Sequence, residues 1–170
     1  ALFVFGGWEG KAPRAEVWRA PFLSDGRIGA WASMPAYPIP LDLHDAAYLH
    51  DHLYVVGGWD GKQAQNGIYR AKVEGAGLGA WQRVGDLPQA LYRLAVAADT
   101  DHLYVTGGYG ANETSSAAVY VAGINSAGAL TGWQTYTLPV ALYYHKAVIH
   151  DGRLVVLGGR DNTQPFNQVY

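Results

Sequence analysis

The chain has 170 residues, 49% apolar and only 15% charged, with 22 glycines, no cysteine and a formal net charge of −2. That composition supports a buried core in a turn-rich fold and excludes a disulfide framework, a thiolate metal site and a cysteine nucleophile. Without a basic excess or an apolar run of roughly 18 residues, neither nucleic-acid binding nor membrane insertion is expected.

The first element is the apolar run 2–5, closed by Gly6-Gly7. The same run and glycine pair return at 53–56 with Gly57-Gly58, at 103–106 with Gly107-Gly108 and at 154–157 with Gly158-Gly159, at intervals of 51, 50 and 51 residues. An aromatic follows each pair after 11 or 12 residues, at Trp18, Tyr69, Tyr120 and Tyr170. A tryptophan comes next at Trp31, Trp81 and Trp133, followed by Met34-Pro35, Leu87-Pro88 or Leu138-Pro139. The runs are short, rich in Val, Leu and Tyr, and bounded by Gly, Asp and Asn, so they read as strands. In the second repeat, segments 45–49, 53–56, 67–72 and 80–84 predict four strands, a to d, with a tight hairpin at Asp51-His52. In the third, 95–98, 103–106, 117–122 and 132–137 predict the same, with a longer turn at 99–102. Partial repeats at the ends add three strands each and bring the expected number to fourteen. No stretch keeps a helical period.

A unit of about 50 residues has the length of a kelch-type propeller blade. On the glycine pair, the tyrosine of the next strand (Trp18 in the first repeat) and the tryptophan after it, the chain resembles the kelch-repeat family over all 170 residues. It is also similar to bacterial kelch-like repeats that carry Asp-Gly and Gly-Ala-Trp between strands c and d, as in Asp25-Gly26 and Gly29-Ala30-Trp31. Gly79-Ala80-Trp81 keeps that feature and Thr131-Gly132-Trp133 departs from it. The resemblance implies an all-β chain of four-stranded antiparallel blades, about 3.5 of them, within a six- or seven-bladed β-propeller. The repeat units are about 1–34, 35–86, 87–137 and 138–170, all in one domain. Half-built outer blades leave strand edges open. The expectation is that the rest of a longer polypeptide closes the ring, with closure by a second copy as the alternative.

In such a meander the d–a and b–c loops share one rim. The glycine pairs read as architecture, and Trp31, Trp81, Trp133, Tyr69 and Tyr120 as packing between blades. The residue after each pair varies on this constant frame, as Trp8, Trp59, Tyr109 and Arg160. There, beside Asp60, an aromatic face and directed polar groups suit a peptide or a sugar. A turn role also explains the matching Trp8-Glu9-Gly10-Lys11 and Trp59-Asp60-Gly61-Lys62. His44 and His145 begin strand a, with Arg93 at about the same place between them, and together they are expected to ring the channel mouth as an anion site or an acid–base group. The alternative for both histidines is a hydrogen-bonded channel liner. The other histidines fall singly on the opposite rim and do not converge as metal ligands must.

There is no nucleophile elbow, zinc-protease helix motif or phosphate-binding loop. The spacing of Asp25 and Trp31 does not fit the aspartate box of sialidase propellers. The crosslink of galactose oxidase, a kelch propeller, needs a cysteine that is absent here. Kelch-like proteins that interconvert sialic acid anomers share the frame but none of their working residues. The expected function is a non-catalytic binding or scaffold module, without cofactor, presenting loops to a protein or glycan. An extracellular or periplasmic location is favoured, and Asn112-Glu113-Thr114 forms a glycosylation sequon. The alternatives are a sugar epimerase or mutarotase-like enzyme using His44, Arg93 and His145, and a structural repeat of a cell-surface or filament assembly.

Overall fold

A computed structural model describes residues 1–170 as sixteen strands and no helix. The first sheet is β1 (Leu2–Phe5), β2 (Val17–Ala20) and β3 (Ala32–Met34), antiparallel in that order. The second is β4 (Asp45–Leu49), β5 (His52–Val56) and β6 (Gly67–Glu74), with β7 (Gly77–Leu78) and β8 (Gln82–Asp86) both paired to β6. After the two-residue β9 (Leu91–Tyr92) come β10 (Ala95–Ala98) and β11 (His102–Thr106) of the third sheet. The short β12 (Tyr109–Gly110) pairs with β9, and β13 (Ala118–Ile124) and β14 (Leu130–Thr137) complete the third sheet. The last sheet is β15 (Lys146–His150) and β16 (Arg153–Leu157).

Each main sheet is an antiparallel meander. In the first full hairpin His50 and Asp51 have φ of 46° and 57°, and Leu49 pairs with His52. Positive φ at two successive residues is the tight turn that matches strand twist, so the turn lies one residue earlier than the expected Asp51-His52. The fourth sheet turns the same way at Asp151-Gly152, with φ of 49° and 68°. At 99–102 the longer turn is held by Asp99, whose Oδ1 accepts from the N–H groups of Asp101 and His102 at 2.8 Å each. Tyr170 lies in a third segment that pairs with β16. It exchanges two backbone hydrogen bonds of 2.9 Å with Val156, and Val169 bridges Leu157.

The core lies between sheets. Side chains alternate along β5, so Leu53 and Val55 join Val17, Tyr37 and Leu41 in one cluster while Tyr54 and Val56 join Leu94, Leu103 and Val105 in the next. A third cluster packs Val119 and Leu142 against Val156. The strand β10 neighbours β4 on one side and β15 on the other, which makes these three the inner strands of sheets stacked around an axis. Two bonds recur at the seams. The N–H groups of Gly7, Gly58 and Gly108 donate to the carbonyls of Leu41, Leu91 and Leu142 in the following repeat at 2.8, 2.9 and 2.7 Å. Trp81 Nε1 donates to Pro35 O, just past β3, and Trp133 Nε1 to Asp86 O, at the end of β8, so each reaches the outer strand of the preceding sheet, both at 3.0 Å. Trp31, on the first sheet, has no preceding sheet to meet and stays 47% exposed.

Candidate functional site

The glycine pairs send the chain back towards the loop that enters strand a. Trp59 exchanges backbone hydrogen bonds of 2.7 and 2.9 Å with Asp42, and Arg160 does so with Tyr143 at 2.9 Å in both directions. Tyr109 lies opposite Tyr92 through the pairing of β9 with β12. The b–c and d–a loops therefore share one face.

On that face Arg93 lies among four tyrosines. Its guanidinium carbon is 4.7 Å from the ring centre of Tyr144, 5.0 Å from Tyr92, 5.5 Å from Tyr109 and 5.6 Å from Tyr143. The rings continue one another, Trp59–Tyr92 at 5.1 Å, Tyr92–Tyr109 at 5.5 Å and Tyr109–Tyr143 at 4.9 Å, mostly edge to face. Their quadrupoles favour the cation, each by about 0.5–2 kcal/mol depending on desolvation. No carboxylate pairs with Arg93, and its Nε is buried without a hydrogen-bond partner. The arrangement offers an unmet donor framed by aromatic edges to an oxyanion or carbonyl.

The register at the channel mouth differs from expectation by one residue. Leu43, Arg93 and Tyr144 are equivalent, with φ of 56°, 57° and 57°, and are joined in series by Arg93 N–H to Leu43 O at 2.7 Å and Tyr144 N–H to Arg93 O at 3.1 Å. His44 and His145 are equivalent to Leu94 instead, and they turn inwards rather than line the mouth. His145 is 2% exposed with Nε2 2.7 Å from Thr106 Oγ1, and burial pushes its pKa down to about 4. His44 is half-buried, and burial lowers its pKa as well.

The remaining candidates divide. Trp59 and Tyr109 belong to the arc, and Arg160 reaches its edge with the guanidinium 5.8 Å from the Tyr143 ring. Trp8 is half exposed and lies outside the arc, while its neighbour Glu9 pairs with Arg14 at 2.5 Å. Asp60 is spent on its own loop: Oδ1 accepts from the N–H groups of Lys62 and Gln63 at 2.8 Å each and Oδ2 from Gln65 Nε2 at 2.8 Å. Asp161 holds the fourth loop in the same way, accepting from the N–H groups of Thr163 and Gln164. Tyr92, Tyr143 and Tyr144 belong to the cluster and are not among the binding residues expected from the sequence. Their signal is the pair just before each strand a, Tyr92-Arg93 and Tyr143-Tyr144. No three His, Asp or Glu side chains converge as a metal site. A cleft of about 720 Å³ lies elsewhere, between β13, β14 and the two-stranded last sheet, beside Tyr104, Trp133 and Tyr136.

The family profile of the KLHDC2/KLHL20/DRC7 Kelch-repeats domain matches residues 43–170. The chain belongs to the kelch-repeat family. The stacked sheets are kelch propeller blades, and the glycine pairs and tryptophans that join them are the kelch frame. A search among curated proteins finds no match.

Proposed function

We propose that the chain is a non-catalytic protein-interaction module that docks an extended segment of another protein on the glycine-pair face, with Arg93 as anchor. The observation that carries this reading is the Arg93 side chain, its buried Nε unmet and its charge answered by rings alone. A buried unsatisfied donor costs about 1–3 kcal/mol, which a ligand carboxylate or carbonyl recovers on binding. Tyr144, 54% exposed, and Trp59 supply apolar area beside it. These rings suit a sugar face equally well, but a kelch domain favours a protein partner. The alternative of a sugar-acting enzyme rests on His44 and His145 at the channel mouth, and the burial of His145 removes an accessible acid–base group from that reading. The exposed Trp31, whose equivalents pin onto a preceding blade, supports a further blade packing on the first sheet, from a longer polypeptide or a second copy.

Selection of peptides from a displayed library against the chain tests the docking reading. Peptides so obtained are expected to lose at least tenfold in affinity for Arg93→Ala and several-fold for Arg93→Lys, since an ammonium does not reproduce the planar fork. Equal binding by Arg93→Ala would overturn the proposal.

A further inference from the structure

Each seam between successive sheets holds one side chain wedged between two glycine pairs. His44 lies between Gly6 and Gly58, Leu94 between Gly57 and Gly108, and His145 between Gly107 and Gly159. A Cβ added at any of these glycines would meet its wedge within 2.6 to 3.2 Å, so the space is closely filled. Leucine fills it as well as histidine does. Two of three equivalent positions are therefore titratable where volume alone requires nothing titratable.

The surroundings follow the wedge. Leu94 and Val56 belong to one apolar cluster, whereas His145 faces Thr106 at the position equivalent to Val56. Thr106 Oγ1 lies 3.3 Å from Ala95 O and donates there, so it accepts from Nε2–H of a neutral His145. The Nδ1 atoms of His145 and His44 are both buried without a partner. Protonation would place a second N–H and a full charge where no acceptor stands. The charged groups facing His145 are Asp45 and Lys146, which oppose each other, and those facing His44 are Asp42 and Asp45. Asp45 already accepts from Val96 N–H at 2.9 Å, across the seam that Leu94 fills.

We propose that His44 and His145 make the two outer seams acid-labile while Leu94 keeps the middle seam shut, so that mild acid detaches the first and last sheets from a body formed by the second and third. Burial already holds both imidazoles below their ordinary value, in keeping with this geometry. The Arg93 cluster straddles the third seam, with Tyr92 and Tyr109 on one side and Tyr143 and Tyr144 on the other. It comes apart when that seam opens.

Hydrogen exchange of the whole chain, corrected for the intrinsic pH dependence of the rate, reads this directly. Between pH 7 and pH 4.5 protection in β1, β2, β15 and β16 is expected to fall at least tenfold more than in β5, β6, β10 and β11. His44→Leu with His145→Leu is expected to abolish that difference. Uniform loss in all four sheets, earlier loss at the Leu94 seam, or the same loss in the double variant would each overturn the proposal. Should the double variant not fold, imidazole resonances of the unsubstituted chain decide. Both histidines are expected to stay neutral while the sheets remain protected, and titration of either near its ordinary 6.5 in the intact fold contradicts the proposal.

Discussion

Gly57 has φ of 60°, and a Cβ there would sit 2.5 Å from the carbonyl oxygen of Leu91 in the next repeat. Gly75 has nearly the same φ, 58°, with open space around it. The two separate strain from collision. Gly75→Ala is expected to cost about 1–2 kcal/mol through its left-handed backbone alone, and Gly57→Ala about 3 kcal/mol or more through backbone and overpacking together, as read from urea unfolding midpoints. His145 gives a second prediction at this scale. Its folded pKa, about 4, lies below its ordinary 6.5, so the unfolded chain binds more protons between these values and stability falls as pH drops through that window. The loss is complete below about pH 4 and of order 3 kcal/mol, and His145→Leu should flatten this part of a thermal-melting profile. The wedge was legible in the sequence and was misread. A leucine stands three residues before it in every repeat, at Leu41, Leu91 and Leu142, yet matching histidine to histidine drew Arg93 into their register. What no sequence spacing could supply is the unmet Arg93 Nε, because it depends on side chains from two sheets meeting.

At the scale of elements, strands a and b were read to within a residue because alternation and the glycine pairs bound them closely. Strand d was placed early in the second repeat, where 80–84 was expected and Gln82–Asp86 is found. Trp81 lies just before the ladder, which begins with Gln82 opposite Arg70 and shifts register across a bulge at Ile68-Tyr69. In the third repeat the strand begins earlier, at Leu130, because β13 runs on to Ile124 across a bulge. The short β7, β9 and β12 carry no apolar run and left no mark in the pattern. The seam tryptophans make a testable contrast. Trp133→Phe keeps most of the packing on Tyr120 but removes the donor to Asp86 O, so it should destabilise by about 1–2 kcal/mol, whereas Trp31→Phe, exposed and without that bond, should change stability by less than about 0.5 kcal/mol. Equal losses in calorimetric melting of the two variants would remove the seam role given to the bond.

Across the whole molecule, sheets stack side by side with β4, β10 and β15 innermost, so loops far apart in the chain meet on one rim. The period of the glycine pairs made this arrangement readable, since units of one length and one pattern pack in one way. It also predicted that Trp59, Tyr109 and Arg160 would lie on the same face as Arg93. The opposite rim has its own contacts, where Tyr54 Oη donates to Gly128 O at 2.8 Å and Arg70 Nη1 to Ala127 O at 2.5 Å, tying the third sheet's c–d loop to the second sheet. Tyr54 Oη and Arg70 Nη1 are engaged with the chain itself; Arg70 Nε is buried without a partner, as Arg93 Nε is, but no cluster of rings frames it. Chemical-shift mapping with a selected peptide ligand distinguishes the two rims most directly. The account predicts perturbation centred on Tyr92, Arg93, Tyr109, Tyr143 and Tyr144, with little change at Tyr54, Arg70 or 125–129. Perturbation confined to the opposite rim, or spread along the outer strands beside Trp133 and Tyr136, would contradict it.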